Sequence, residues 1–538
     1  MNPGDPEIRI PRRSFVAGTA VAALGAFGGW AGCAPRAVPM EGALVGASMA
    51  VGHRLRDGRP PSPSRWEPAD VVIVGGGISG LAAARELARD FRGNVVLVEL
   101  ESDLGGNSSW GQARASAYPW GAHYVPLPGR EAPEVVALFE ELGVITGRDS
   151  SGRPIYREEY LCHDPHERLF LHGRWQEGLI PQLGVSADDR AEADRFLSRM
   201  QTLRESTGTD GRPLFAIPVD RSSADPAWRG LDRETFSVWL DREGFRARPL
   251  RWYLDYCCRD DFGLGTSGVS AWAGLHYFAA RGGEAANASS SSVVTWPQGN
   301  GWLVERLRER IRATVRRGCL VHAVREEGGR VRVAGMDAKT GEAVGWDAGR
   351  VILAVPQFIA ARMLGEAGGG RGAGAVYPPW LVANLSVDRL PTGRGMEAAW
   401  DNVLYEGRGL GYVIANHQEV QSVVRESVLT YYLPLDHVAP TEARREASTW
   451  TWEQARDVVL ADLRRAHPDI ADVTRRMDIR IWGHGMICPV PGFLWSGTRT
   501  DWARPVGRID FAHSDLSGMS LFEEAYIRGV EAGRRVLT

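Results

Sequence analysis

The feature that most constrains the fold is an apolar run that ends in a cluster of glycines. The run Asp70–Val74 is followed by residues 75–80, which read Gly-Gly-Gly-Ile-Ser-Gly. A continuous apolar run of this kind predicts a strand buried on both faces of a parallel sheet. Apolar residues then recur at helical spacing from Leu81 to Phe91, and Val95–Val98 is a second apolar run. The stretch therefore predicts a compact β-α-β unit.

The glycines follow the pattern G-x-G-x-x-G between a predicted strand and a predicted helix, which is the context that gives this pattern meaning. The first glycine allows a tight turn, the second lets the backbone approach a pyrophosphate, and the third lets helix and strand pack closely. The start of the helix offers unpaired N–H groups to phosphates. An acidic residue at the end of the second strand can accept a hydrogen bond from a ribose hydroxyl. The predicted dinucleotide contacts are Gly75, Gly77, Ile78, Ser79, Gly80 and Glu99.

Further strands of the same character occur later in the chain. Arg330–Val333 alternates, residues 338–341 form a turn, and Glu342–Trp346 returns. Val351–Val355 predicts another buried strand, which Pro356 ends. A last apolar segment, Ile509–Ala512, is followed by a helical pattern from Leu521 to Leu537. These pieces predict one α/β cofactor domain assembled from separated segments, with a substrate domain built from the chain between them.

Several of these motifs together resemble the flavin amine oxidase superfamily. The run from Glu99 to Asn107, the segment Trp120–His123, the strands of residues 330–356, and the segments Gly507–Ala512 and Glu523–Arg535 occur in the family's order. The resemblance implies an FAD cofactor, non-covalently held, and a Rossmann-type, GR2-like, discontinuous FAD-binding domain with an interleaved α+β substrate domain. It adds the following cofactor contacts: Gly105, Gly106, Gly121, Ala122, Val321, Asp515, Phe522 and Glu523.

The expected domain ranges follow from the motifs and the resemblance. Residues 1–33 are a signal peptide and residues 34–66 a flexible linker rich in Pro, Gly, Arg and Ser. The FAD-binding domain is expected at 67–130, 295–365 and 480–538, and the substrate domain at 131–294 and 366–479.

The activity that the resemblance implies is hydride transfer from a C–H bond of a small-molecule substrate to flavin N5. Three departures leave the substrate open. Asn107 stands where the family commonly has arginine, no lysine follows Lys339, and Leu521 is aliphatic where the family has an aromatic residue, although Phe522 is adjacent. Cys488 does not match the covalent-flavin cysteine. The alternatives are an FAD-dependent desaturase or isomerase of an apolar, isoprenoid-like substrate, and a non-catalytic flavin-binding partner protein.

Three residues are candidates for catalysis at the flavin. They are His484, Trp482 and His123. A histidine beside an aromatic ring could orient a substrate or exchange a proton near neutral pH. The aromatic residues between Trp252 and Phe278 predict either core packing or a hydrophobic substrate channel.

The first thirty-three residues predict export. Residues 11–16, Pro-Arg-Arg-Ser-Phe-Val, resemble a twin-arginine signal and precede an apolar run rich in Ala and Gly. The run ends at Cys33 in a pattern similar to a lipoprotein cleavage site. We therefore expect the twin-arginine export machinery as a partner and a periplasmic or exported location, with a lipid on Cys33 as a membrane tether. The route carries folded proteins, which suits a protein that must bind FAD before it leaves the cytoplasm.

Charge and cysteine content exclude other classes. A formal net charge of -3 argues against a nucleic-acid partner, which usually requires a basic patch. Of the six cysteines, five remain once Cys33 is removed or lipidated, and an odd number does not suggest a disulfide framework. The loose group of Cys162, His163 and His166 lies beside Pro165, and we expect no metal site.

Overall fold

The predicted parallel sheet has strands from three separated parts of the chain. A computed structural model describes residues 39–46, 48–58, 60–419 and 426–538. One sheet has seven strands: Glu67–Val74, Val95–Val98, Thr314–Arg316, Cys319–Glu327, Arg330–Asp337, Ala343–Leu353 and Ile509–Phe511. Its first strand lies between Val95–Val98 and Ala343–Leu353 and is parallel to both. Residues 71–74 are at most 3% exposed, as expected of a strand covered on both faces.

One expectation for this sheet is wrong. The sequence predicts a hairpin return at residues 342–346 and a separate strand at 351–355, whereas Ala343–Leu353 is one continuous strand. Its first half is antiparallel to Arg330–Asp337, and its last three residues are parallel to Ile509–Phe511. The single strand therefore joins the antiparallel and parallel parts of the sheet.

Two helices that follow parallel strands pack side by side. They are Ile78–Asp90, after the first strand, and Phe522–Leu537, after Ile509–Phe511. A Cβ atom at Gly529 would lie 2.2 Å from the carbonyl oxygen of Ser79, so the glycine permits this close approach. Because both helices follow the carboxyl ends of strands, both begin at the same edge of the sheet.

A second sheet has eight strands. They are Glu41–Leu44, Glu167–Leu171, Arg174–Glu177, Trp380–Val387, Asp401–Leu404, Gly411–Ile414, Ser427–Pro434 and Thr474–Trp482. Helices Pro440–Ala447 and Trp452–Leu463 contribute buried side chains to a core with its central strands. The remaining helices of seven or more residues are Pro133–Glu141, Ala187–Glu205, Phe236–Arg242, Arg248–Phe262, Ala271–Ala279, Gly301–Arg308 and Gln357–Leu364. Thr474–Trp482 crosses the boundary expected at residue 480, so residues 480–482 belong to this sheet.

The expectation of a flexible linker over residues 34–66 is wrong where the structure describes it. Glu41–Leu44 pairs in parallel with Arg476–Ile479 at the edge of the eight-stranded sheet. Met49–Gly52 and Arg54–Asp57 form short helices. The polar, Pro-rich composition hides this order, because an edge strand is held mainly by backbone hydrogen bonds, which any residue except proline can make.

The twin-arginine motif, the apolar run and Cys33 lie outside the described residues. Within the described ranges, the helices lack the combination of length and apolar character that a bilayer span requires.

Candidate active site

An elongated cavity of about 1660 Å³ lies at the edge of the seven-stranded sheet where the two packed helices begin. We call it the dinucleotide cavity. Most of the predicted cofactor contacts line it: Gly75, Gly77, Ile78, Ser79, Glu99, Gly105, Gly106, Ala122, Val321, Asp515 and Phe522. Residues that the sequence spreads from the first strand to the last helix therefore share one cavity.

The three motif glycines have three different roles. Gly75 has a φ of +104°, and a Cβ atom there would lie 2.3 Å from the carbonyl oxygen of Ala354. At Gly77 a Cβ atom would meet nothing within 4 Å and would point into the cavity. Gly80 does not line the cavity; a Cβ atom there would lie 1.9 Å from the carbonyl oxygen of Gly75. The space at Gly77 is thus available to a ligand that touches the backbone.

Glu99 fixes the glycine loop from the neighbouring strand. Its carboxylate accepts hydrogen bonds from the backbone N–H groups of Gly76 at 2.7 Å and Glu101 at 2.9 Å. Burial raises the pKa of Glu99. Each carboxylate oxygen retains a further lone pair, so a ribose hydroxyl can donate to the same group.

The starts of both helices are open to an anionic ligand. The helix Ile78–Asp90 begins after Gly77, and the helix Phe522–Leu537 begins after Leu521. Among the described residues, no side chain caps either start. The first residues of both helices line the cavity, where the positive ends of the helix dipoles lie. With the bare backbone at Gly77, these features fit a dinucleotide.

The dinucleotide cavity meets a second cavity of about 880 Å³, which we call the inner chamber. The two share the following lining residues: Asn107, Ala122, Asn300, Trp482, Gly485, Met486, Ser520, Leu521 and Phe522. Asn300 is 1% exposed, and its Oδ1 has no hydrogen-bond partner among the described residues. A polar atom left unpaired at this junction is ready to accept a hydrogen bond from a ligand.

The inner chamber has aromatic walls and a charged end. The aromatic residues are Tyr124, Trp380, Tyr432, Trp482 and Phe522. The charged residues are Asp260, Asp261, Arg281 and Glu523. Arg281 donates to both carboxylate oxygens of Asp261, at 2.6 and 2.5 Å, so this pair neutralises itself. Asp260 and Glu523 remain as carboxyl groups without an equivalent partner in the described part of the chain.

The environment of these two carboxyl groups favours their neutral forms. Burial, with the adjacent charge of Asp261, raises the pKa of Asp260 to about 7. Burial raises the pKa of Glu523 to about 7 as well. Glu523 is 2% exposed, and its Oε2 has no hydrogen-bond partner among the described residues. Both groups therefore ionise near neutral pH and would be stabilised by a cation in the chamber.

A third cavity of about 1350 Å³, the outer chamber, continues from the inner one. The two chambers share His123, Tyr124, Pro126, Asp260, Arg281 and Tyr432. Glu167 and Asp401 add two carboxyl groups to its wall, and burial raises the pKa of each. Tyr256 donates to Asp401 at 3.3 Å. The acidic lining thus extends through both chambers.

The two candidate histidines line the cavities and are neutral at neutral pH. His484 lines the dinucleotide cavity, where it stacks on Phe358 at 4.5 Å, and burial with the nearby charge of Arg444 lowers its pKa to about 4. His123 stacks on Tyr432 at 4.7 Å between the chambers, and burial lowers its pKa to about 4. Neither ring carries a proton to donate at pH 7, while a neutral ring can still orient a substrate, so the catalytic role expected of both stays a prediction.

Other predicted residues occupy places that differ from the expectation. Trp482 lines both the dinucleotide cavity and the inner chamber, and its Nε1 donates to the carbonyl oxygen of Trp120 at 2.7 Å. Gly121 and Glu523, predicted as cofactor contacts, line the inner chamber and not the dinucleotide cavity. The neighbouring Ala122 and Phe522 line both cavities.

Two departures from the flavin amine oxidase pattern have a structural account. Asn107 lies at the junction, and its Nδ2 donates to the carbonyl oxygen of Gly485, which ties the Gly105–Gly106 loop to the chamber wall. Cys488 is fully buried and bridges Val376 through its backbone, apart from the described residues that line the cavities. In the described ranges, no three potential metal ligands converge.

Sequence reasoning missed Asp260, Asp261 and Arg281. The two carboxylates are adjacent at the end of the helix Arg248–Phe262, which otherwise carries many aromatic side chains. Arg281 follows the next helix, Ala271–Ala279. A pair of acidic residues within an aromatic-rich segment is a signal that could have indicated a lined chamber instead of a core.

The fold and the cavities define an α/β protein whose dinucleotide cavity opens onto a buried chamber. Residues 73–142 match the family described as NAD(P)-binding Rossmann-like domain. The fold is that of the flavin amine oxidase structures. It matches cyclohexylamine oxidase from Brevibacterium oxydans with a TM-score of 0.62 and 16% identity, over 87% of this chain and 98% of that one. It matches putrescine oxidase bound to putrescine with a TM-score of 0.59 and 16% identity, over 88% and 100%.

Sequence similarity to curated proteins is partial. An L-amino acid dehydrogenase from Synechocystis sp. is 28% identical over 213 residues, which are 38% of this chain and 40% of that protein. The chain thus matches less than half the length of this relative.

Proposed function

We propose that the protein is an FAD-dependent oxidoreductase that removes a hydride from a C–H bond of a small-molecule amine. The observation that carries the proposal is the junction of the dinucleotide cavity with a buried, acidic, aromatic-walled chamber. FAD, when bound, supplies the hydride acceptor at N5. Everything else required is the chain's own: a place for the substrate, exclusion of water and a group that holds a proton.

FAD is favoured over NAD by the residues that line the dinucleotide cavity. One end is lined by Glu99 and Val321, where an adenosine fits, and the other reaches Phe522 at the start of the last helix. A flavin at that end would meet the positive end of the helix dipole. The fold shared with flavin amine oxidases supports the same assignment. We propose that the flavin is held without a covalent bond.

The charges of the chambers favour an amine over an apolar substrate. The inner chamber has three carboxyl groups and one cationic side chain. The carboxyl groups are those of Asp260, Glu523 and the paired Asp261, and the cation is Arg281. Burying unpaired carboxylates is costly, and a protonated amine offsets that cost where an isoprenoid chain would not. The absence of a lysine after Lys339 is therefore a departure in detail and not an argument for the desaturase alternative.

Asp260 is the residue best placed to take a proton from the substrate. An amine donates a hydride readily only when its nitrogen is unprotonated, so an ammonium substrate must first lose a proton. Asp260 lines both chambers, and its pKa of about 7 lets the carboxylate accept that proton near neutral pH. Tyr432 and Trp482, which wall the inner chamber, exclude water from the reacting carbon.

An anaerobic titration of the purified protein tests the proposal. A yellow protein whose flavin absorbance bleaches with amines, and not with unsaturated lipids or carotenoids, is the expected result. Bleaching by the lipids alone would replace the amine with an apolar substrate. A flavin that no donor reduces would indicate a non-catalytic flavin-binding partner, and a folded but colourless protein would overturn the cofactor itself.

We also propose that the protein is exported by the twin-arginine route, on the evidence of residues 1–33 alone. The expected result is that the full chain reaches the periplasm, and that replacing Arg12 and Arg13 with lysine retains it in the cytoplasm. Metabolic labelling with a fatty acid, compared with Cys33→Ser, tests the tether. Export that persists without the two arginines would overturn the proposal.

A further inference from the structure

We infer that the segment of residues 39–58, here called the N-terminal strap, forms a movable wall of the dinucleotide cavity and retains the cofactor inside it. The inference rests on the proposed function only in that the cavity holds FAD. No part of the flavin amine oxidase resemblance includes this segment, whose sequence predicts a flexible linker. The structure describes the strap except for residue 47.

The strap is anchored at its beginning by backbone pairing. Glu41–Leu44 runs parallel to Arg476–Ile479, and the N–H of Val45 donates to the carbonyl oxygen of Ile479 at 2.8 Å. A Cβ atom at Gly42 would lie 2.0 Å from the carbonyl oxygen of Met477, so only glycine fits there. The anchor therefore holds the beginning of the strap to the edge of the eight-stranded sheet.

Past the anchor, the strap crosses to the rim of the dinucleotide cavity. Ser48 donates to the carboxylate of Glu101 twice, from its backbone N–H at 2.8 Å and its hydroxyl at 3.0 Å. Glu101 lies two residues past Glu99, the predicted ribose contact, and also lines the cavity. The pair of hydrogen bonds places the following helix over the adenosine end.

The strap then contributes side chains and backbone to the cavity itself. Gly52 and Leu55 line it, together with Leu100 on one side and with Ile359 and Met363 on the other. Ile359 and Met363 belong to the helix Gln357–Leu364. The strap thus closes an apolar gap between the segment that follows the strand Val95–Val98 and the helix Gln357–Leu364, and a bound adenosine could leave by that gap only if the strap moved.

The attachment is light enough to open without unfolding the protein. Within the described residues, neither of its two four-residue helices, Met49–Gly52 and Arg54–Asp57, has a buried residue. Segments with few buried contacts open locally at a small fraction of the global free energy of unfolding. Opening would admit FAD, and closing would add Leu55 and Gly52 to its contacts and slow its escape.

The first test measures the rate at which FAD leaves the holoprotein, from the rise in free-flavin fluorescence after dilution into excess competitor. Leu55→Asp removes the apolar contact and places a negative charge beside a diphosphate ligand. We expect the dissociation rate to rise roughly 3- to 10-fold, the range that corresponds to losing the contact of a partly buried leucine. Met49→Ser is the matched control, because Met49 is 52% exposed in the same strap and does not line the cavity.

The second test changes the rate in the opposite direction, which general damage to the fold would not do. Ser48 contacts Glu101 through two hydrogen bonds where the strap meets the rim of the cavity, so Ser48→Cys with Glu101→Cys should form a disulfide that holds the strap closed. The oxidised double variant should release FAD more slowly than the same variant reduced, and its oxidised apoprotein should take up added FAD more slowly. A thiol reductant should reverse both effects, whereas each single cysteine variant should respond to neither oxidation nor reduction.

Unchanged release from Leu55→Asp, or a staple that alters neither release nor uptake, would overturn the inference. Failure of the proposed function is separate. A protein that binds no flavin would contradict the proposed function. A flavin-loaded protein that oxidises amines but releases FAD at the same rate in every variant would contradict only the inference about the strap.

Discussion

The dinucleotide cavity and the inner chamber adjoin, yet the first is lined chiefly by backbone and the second chiefly by side chains. The cavity is built from backbone, with open space at Gly77, two helix starts without side-chain caps, and a carboxylate at Glu99 that holds the glycine loop. The chamber is built from side chains, chiefly aromatic rings and the carboxyl groups of Asp260 and Glu523. We expect the dinucleotide cavity to bind the diphosphate of a cofactor that many different proteins use. We expect the inner chamber to bind the substrate that is specific to this protein.

The difference explains which part of the site can vary. A backbone site tolerates any sequence that keeps its glycines and its fold, so we expect it to persist while the rest of the sequence diverges. A chamber of side chains changes specificity with each substitution. Mutations in the two regions should therefore fail in different ways, in cofactor content for one and in catalysis for the other.

Gly77→Val should have the largest effect and is the most direct way to break the contrast. The backbone at Gly77 has a φ of -72°, which valine adopts without strain, so the side chain acts only by filling ligand space. We expect flavin content near zero in a protein that remains folded, measured by absorbance and circular dichroism. Gly147→Val is the control, because a Cβ atom there also meets nothing within 4 Å. Normal flavin content in Gly77→Val would refute the backbone site.

Asp260→Asn should come next, with full flavin content and impaired catalysis. Losing a buried charge that faces a cationic substrate should lower kcat/KM for amines by about 10- to 100-fold. In the wild type, kcat/KM should rise as pH increases through about 7, because the carboxylate of Asp260 must be ionised to bind the cation and take its proton. Asp194→Asn, at an exposed helical position, is the control. Equal kcat/KM in both variants would remove Asp260 from the site.

The same substitution should stabilise the protein at alkaline pH. The pKa of Asp260 is about 7 in the folded protein and near 3.8 in the unfolded chain, so the folded state binds more protons between these values. The free energy of unfolding should therefore fall as pH rises from about 4 to about 7. Asp260→Asn removes this cost, and its Tm should exceed that of the wild type by about 2 °C or more at pH 8 but not at pH 4. A lower Tm at pH 8 would mean that the carboxylate has a partner.

His484→Gln should have the smallest effect. His484 lines the dinucleotide cavity in its neutral form, so we expect flavin affinity to fall by about 2- to 10-fold, the value of one hydrogen bond or less. The pH dependence of flavin reduction between pH 6 and 8 should stay that of the wild type, measured by stopped-flow absorbance. His437→Gln, on the surface, is the control. A shifted pH profile would restore His484 as a proton-exchanging residue.

The sequence predicts the dinucleotide cavity well because its signals are local. The glycine pattern, Glu99 and the last helix are each read from a few consecutive residues, and one sheet edge brings them together. Asp260 and Arg281 could not be placed in this way, because Asp260 lies in a helix and Arg281 just after one, and the direction that each side chain faces depends on tertiary packing. His123 and His484 were found, but burial lowers the pKa of both, and burial is not written in the spacing of residues. The strap at Glu41–Leu44 was missed because backbone pairing leaves no mark on composition.

The close packing at Gly529 has a consequence for biosynthesis. The helix Ile78–Asp90 is translated long before the helix that Gly529 brings against it. A ribosome-bound chain that has made only the glycine loop offers one wall of the cavity to the cytoplasm, and the opposite wall does not yet exist. We therefore expect loading to wait until the later helix has been made, so that a shortage of flavin yields empty protein instead of loaded fragments.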